Sequence, residues 1–182
     1  SESPDSIKWY YAFNKGALLM NADAFRHFYN YHFAENRKVW EHVASLTIEQ
    51  FTQPIGYSRG SIREQVVHLL DAEDVWFSEL RGFQPSDPLA ETVDADDRDV
   101  IRAHWDRVEE NIRAYLVNLE DGFLFTTPIT EPEEDKNLIV WQVLLHVANH
   151  ATDHRAQLLR ALHDLGMDTK YQDYIFYVYE HP

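Results

Sequence analysis

Between residues 22 and 165 the apolar side chains of this chain recur at helical spacing in four long runs. That pattern leaves few folds open. In the first run, about 22–46, Phe25, Tyr29, Phe33, Trp40 and Val43 fall on one stripe, because residues three and four apart share a helix face. The second opens at Ser61, where Ser61-Ile-Arg-Glu64 has the form of a capping box, and runs to about Leu80 before Gly82. The third, about 95–119, carries Ile101, Trp105, Val108, Ile112, Tyr115 and Leu119 and stops at Asp121-Gly122. The fourth covers about 139–165 and stops at Gly166. One-sided helices bury their stripes against one another, so the expected fold is all-α, an antiparallel four-helix bundle.

Three segments do not follow the helical pattern. Phe123-Leu-Phe-Thr-Thr and Leu138-Ile-Val140 are rich in β-formers and flank an acidic turn at 131–135; a short hairpin or two extended pieces is expected before the last helix. The tail, residues 171–179, is too aromatic to float free and is predicted to pack across the bundle or at a subunit contact. Met20-Asn21-Ala22-Asp23 reads as a natural start, with Asn21 or Asp23 as helix cap. Residues 1–19 are then an extension, native or added, and residues 20–182 are the bundle domain.

The chain has 182 residues, enough for one domain with a sizeable core, and 45% of them are hydrophobic. Its formal net charge is −15, from 16 basic and 31 acidic residues. Such a surface repels phosphate, which argues against nucleic acid and against an anionic membrane as partners. No apolar run reaches the ~20 residues of a transmembrane helix, and no secretory signal is recognisable. There is no cysteine, so any metal must be held by His, Asp or Glu. A cysteine-free chain fits a cytoplasmic location. The acidic runs 94–99 and 131–135 lack EF-hand spacing and read as solvated loops and helix starts.

The fourth run contains His146, His150 and His154, three histidines each four residues apart. Residues four apart stack on one helix face, and two imidazoles so placed can hold one metal ion. All three cannot, since His146 and His154 are separated by a rise of about 12 Å. On the helical wheel, His154 lies nearest the apolar face, His150 next and His146 farthest. An inward site therefore favours His150 and His154 as the pair; on this pattern alone a solvated or hydrogen-bonded histidine row is an equal alternative. His68 in the second run sits at the edge of that helix's apolar face and is the leading third ligand; the alternative is a histidine bonded to a backbone carbonyl. His32 and His104 are weaker candidates. His27, His42, His163 and His181 read as surface residues, and Asp71 and Glu73 as solvent-facing groups or groups lying behind the ligands.

These residues carry a family resemblance. Asn149-His150-Ala-Thr-Asp-His154-Arg155-Ala-Gln157 is similar to the Asn-His-x-x-x-His-Arg-Gly-Gln signature of the DinB/YfiT-like metal-binding bundles. The segment around His68, with Glu73 and Trp76 downstream, resembles that family's second-helix motif. Ser61-Ile62, Asn36 and the ending at 173–180 also fit. The resemblance spans roughly residues 21–180, with Ala156 where the family often has Gly. It implies a histidine triad of His68, His150 and His154 around a divalent ion, an up-down-down-up connectivity and a homodimer.

Imidazole ligands suit Zn²⁺, Ni²⁺ or Fe²⁺. Some relatives are metal-dependent transferases that use low-molecular-weight thiols. The expected function is therefore metal-assisted transfer, or hydrolysis, on a small-molecule substrate with a thiol cosubstrate. The alternative is a non-catalytic, stress-related protein whose ion is structural. Arg155 is expected to brace the helix rather than orient a carboxylate, and Gln157 to support the ligands from behind.

Overall fold

The computed structural model describes residues 21–89 and 97–182. The suggested extension and the start of the third run at 95 lie outside the described residues. The described residues form six α-helices and one 3-10 turn and contain no strand. Helix α1 (Ala22–Ser45) is capped by Asn21, whose side chain accepts from the Ala24 N–H. Helix α2 (Ile48–Thr52) opens with a reciprocal Thr47–Gln50 capping box. In α3 (Ile62–Arg81) the Ser61 hydroxyl accepts from the Glu64 N–H and donates to the Glu64 carboxylate. That helix ends at Gly82, whose φ of 69° needs no side chain. Helix α4 (Arg98–Val117) is capped by Asp97. Helices α5 (Val140–Asp164) and α6 (Tyr174–Glu180) complete the chain. No described helix is long and apolar enough to cross a membrane.

Each long helix packs against two others: α1 on α4 and α5, and α3 on α4 and α5. The stripes read from the sequence meet there. Tyr29, Phe33, Leu69, Leu70, Trp105, Ile112, Leu144 and Leu158 are fully buried in one continuous core, which is where the favourable free energy of folding accumulates. Cross-links follow a regular order. Arg26 donates to the Leu119 carbonyl at 2.8 Å, Arg113 to Asn30 at 2.9 Å, and Arg37 to Glu109. Between α1 and α5, the Tyr29 hydroxyl donates to the Leu144 carbonyl at 2.9 Å and Arg155 to Asn36 at 2.9 Å.

The expected hairpin does not form. Phe123–Phe125 winds one 3-10 turn, and the Val140 N–H donates to the Thr126 carbonyl at 3.0 Å. An isolated two-stranded ribbon is marginal. Here Leu124 and Ile129 instead bury themselves in the helical core, at 0% and 2% exposure. The aromatic tail packs on α1: Tyr174 lies against His27, Phe28 and Tyr31, and Tyr177 against His27 and Tyr31.

Candidate metal centre

Helices α3 and α5 cross where His68 meets His150 and His154. One turn of α5 separates the two latter residues, and their rings are 4.4 Å apart. The His68 ring lies 4.7 Å from that of His154 and 5.1 Å from that of His150. The His68 and His150 Nε2 atoms are 3.2 Å apart, and one ring nitrogen from each of the three residues falls within 4.8 Å of the others. A tetrahedral ion with N bonds of about 2.0–2.1 Å needs nitrogens roughly 3.4 Å apart. The three residues are close enough to hold a metal ion. Among the described residues, no other His, Asp or Glu joins this group.

Burial follows the order on the helical wheel. His154 is buried, His150 half-buried and His146 exposed. The His146 ring stays 5.9 Å from His150 and packs against Trp76 at 5.0 Å.

Hydrogen bonds orient two of the imidazoles. The Gln65 carbonyl oxygen lies 2.8 Å from His154 Nδ1. A carbonyl only accepts, so Nδ1 carries the proton and Nε2 keeps its lone pair for the cluster. Gln65 is itself fixed: its amide donates to Gln157 Oε1 at 3.0 Å and to the Ser58 hydroxyl, which in turn donates to Gln157. Gln157 thus stands behind His154 through Gln65. At His68 the hydrogen bond falls on the other ring nitrogen. Arg59 Nη2 lies 3.1 Å from His68 Nε2; a guanidinium only donates, so that nitrogen is the acceptor.

All three imidazoles are hard to protonate. Burial is the largest cause in each. Arg59 and the neighbouring histidines push His68 further, down to about 4. His154, His146 and Arg59 add to the lowering at His150, against the pull of Glu73. At His154, Arg59 lowers and Asp153 raises. Neutral imidazole is the form that ligates metals.

A buried polar network stands behind the triad. Arg155, 0% exposed, donates to His32 Nδ1 at 3.0 Å, Asn36 Oδ1 at 2.9 Å, Gln172 Oε1 at 3.0 Å and Thr152 Oγ1 at 3.1 Å. It ties α5 to α1 and to the segment before α6. His32 Nε2 lies 3.0 Å from Glu73 Oε1. Glu73 is therefore buried in this network rather than facing solvent, because His32 and Asn36 satisfy its Oε1. Asp71 is half-buried and accepts from the Leu89 N–H at 3.2 Å.

His104 is buried elsewhere, bonded to Arg107 at 2.6 Å and lying 3.9 Å from Asp74. Neither His32 nor His104 reaches the triad. Of the histidines read as surface residues, His163 and His181 are exposed, while His27 and His42 are half-buried; the tyrosines of the tail cover His27.

Sequence reasoning missed Gln65 and Arg59. A signal existed for Gln65, which precedes His68 by three residues and shares its helix face. Arg59 lies in the loop before α3, where no periodicity operates.

The family model described as the DinB family matches residues 20–181. The chain belongs to the DinB family, a metal-binding superfamily of helical proteins. No curated protein matched the chain.

Proposed function

We infer that this protein is a divalent-metal-dependent transferase that uses a low-molecular-weight thiol, with His68, His150 and His154 as the metal ligands. The observation that carries the reading is the convergence of three neutral imidazoles from two helices on one point, with two of the three only half-buried. Zn²⁺, Ni²⁺ and Fe²⁺ all suit such a donor set. A bound ion would lower the pKa of a thiol or water and keep it as a nucleophile at neutral pH. The chain supplies no thiol of its own, so the sulfur would come from a cosubstrate. Gln65 would hold the His154 tautomer, Gln157 would hold Gln65, and Arg155 would fix the helix register that presents both α5 ligands.

The same reading includes the architecture. The contacts between α1 and α4 run in opposite sequence order, as do those between α3 and α5. Those between α1 and α5 run in the same order. An antiparallel four-helix bundle with up-down-down-up connectivity accounts for this ordering. A homodimer suits the outer face of α6, where Ile175, Phe176 and Tyr179 are exposed. The cytoplasm suits a thiol that must stay reduced.

The rival reading is a non-catalytic, stress-related protein with a structural ion, which needs a closed shell. The positions of His32 and His104 count against it, since both are held by other partners. Elemental analysis of the wild type beside His150→Ala and His68→Ala tests the site: about one metal per chain, lost in both variants, is expected. Added thiol should then perturb the visible spectrum of the Co²⁺-loaded protein. No metal uptake, or a spectrum indifferent to thiol, would sink the transferase reading.

A further inference from the structure

Arg59 stands out because its charge lies against a proposed ligand. Its guanidinium donates to the Nε2 lone pair of His68 at 3.1 Å. The same nitrogen lies 3.2 Å from His150 Nε2, so its lone pair is the one a metal ion would need. One lone pair cannot serve a guanidinium and a metal at once, and two cations in contact repel. Arg59 and a bound ion therefore compete.

The loop that carries Arg59 is held in place at its neighbours. Ser58 is tied to Gln65 and Gln157, and Gly60 has a φ of 96° that disfavours any side chain. Displacement from His68 would leave the guanidinium on this anchored loop beside the ion. It lines a groove of about 250 Å³ with Arg63, Glu64, Val67, His68 and Asp71. The Glu64 carboxylate already accepts from the Ser61 hydroxyl, and Asp71 from the Leu89 N–H. The groove thus sets two guanidinium groups against two carboxylates at the triad's edge, in a chain of net charge −15.

We propose that Arg59 is a binding residue for an anionic substrate: a metal ion displaces it from His68, and it then pairs with a carboxylate of the molecule that occupies the open side of the site. Its planar fork matches a carboxylate in a two-point bond. With two guanidinium groups and two carboxylates along the groove, a monoanion is favoured over a dianionic phosphate. The proposal rests on the histidine triad being a metal site and is independent of whether the cosubstrate is a thiol.

The test uses full-length wild type and Arg59→Ala, an exposed loop change. Co²⁺ affinity is measured by competition with a chelating indicator, and removal of the competing cation should tighten it several-fold. The Co²⁺-loaded proteins are then titrated with 1-methylimidazole and with 3-(imidazol-1-yl)propanoate, following the visible spectrum. The carboxylate tail sits on the nitrogen opposite the coordinating one and cannot chelate the same ion. Wild type should prefer the tailed probe about tenfold or more, and Arg59→Ala should lose the preference; a single 1.4 kcal/mol contact corresponds to that ratio. Unchanged Co²⁺ affinity in Arg59→Ala would overturn the competition, and an equal probe preference in both proteins would overturn carboxylate recognition. Failure of wild type to take up Co²⁺ at all would instead overturn the metal site beneath it.

Discussion

The side-chain carbonyl of Gln65 lies 2.8 Å from Nδ1 of His154, so a fully buried amide on one helix decides which nitrogen of a histidine on another faces the cluster. Groups placed like this behind a ligand commonly contribute 10–100-fold to metal affinity. Gln65→Met, of similar volume, should therefore weaken Zn²⁺ binding by about that factor while all three ligands remain. Competition titration checks this. The same variant combined with Gln157→Ala should lose little more, since Gln157 acts through Gln65.

The α5 row divides by position. His150→Ala and His154→Ala should each abolish stoichiometric metal uptake, whereas His146→Ala should leave it unchanged. The His146 ring lies 5.9 Å from His150 and is exposed to solvent. Metal-to-protein ratios from elemental analysis read this directly, and metal loss in His146→Ala would displace the site by one turn.

The lowered histidines make stability depend on pH. His68 titrates near 4 in the folded chain against 6.5 ordinarily, and His150 and His154 are shifted in the same direction. Between those limits the unfolded chain binds more protons than the folded one, so stability is full above about 6.5 and is lost as pH falls toward 4. With chelator present, the thermal midpoint should drop by a few degrees across that window, and the slope should be shallower in His68→Leu. Calorimetry at constant ionic strength measures it.

Arg155 tests the buried network. Arg155 reaches the buried Glu73 carboxylate, 1% exposed, through His32 and Asn36, which bond both. Breaking a buried charged network costs about 3–5 kcal/mol. Arg155→Met should lose about that much stability in chemical denaturation. Glu73→Gln in the same background should recover part of it, because the uncompensated charge is then gone.

Gly60 anchors the loop of Arg59. A Cβ there would collide with Glu64 Oε2, and φ is 96°. Gly60→Ala should cost about 1–3 kcal/mol and loosen Ser58 from Gln65. A measurable fall in Zn²⁺ affinity should accompany the lost stability, which a purely local strain would not produce.

Most of the helical fold was legible in one dimension, because a helix writes its buried face into the sequence every three or four residues. The first and last long helices end within a residue or two of their stripes, at Ser45 and Asp164. The second stops at the expected glycine. The segment 123–140 was misread for a reason of the same kind. Phe123, Phe125, Thr126 and Thr127 are β-formers, yet the core of the four helices offered Leu124 and Ile129 more burial than a two-stranded ribbon could.

The candidate site divides along the same line. Four-residue spacing put His150 and His154 on one face, and the wheel ranked them above His146. Which residues stand opposite them depends on how α3 crosses α5, and spacing along one helix does not specify that. Gln65 and Arg59 gain their roles only from that crossing and from a loop without periodicity. Glu73 and His32, 41 residues apart in the chain (73 less 32), become partners because two helices bury them together. The sequence by itself determined helices, faces and a pair of metal-competent histidines, since these follow from local geometry. His68 was the leading third ligand on the sequence, and the crossing of two helices brings it to the pair; only the tertiary structure decided the tautomers and the arginine at the site's edge, since each depends on distances between segments that are remote along the chain.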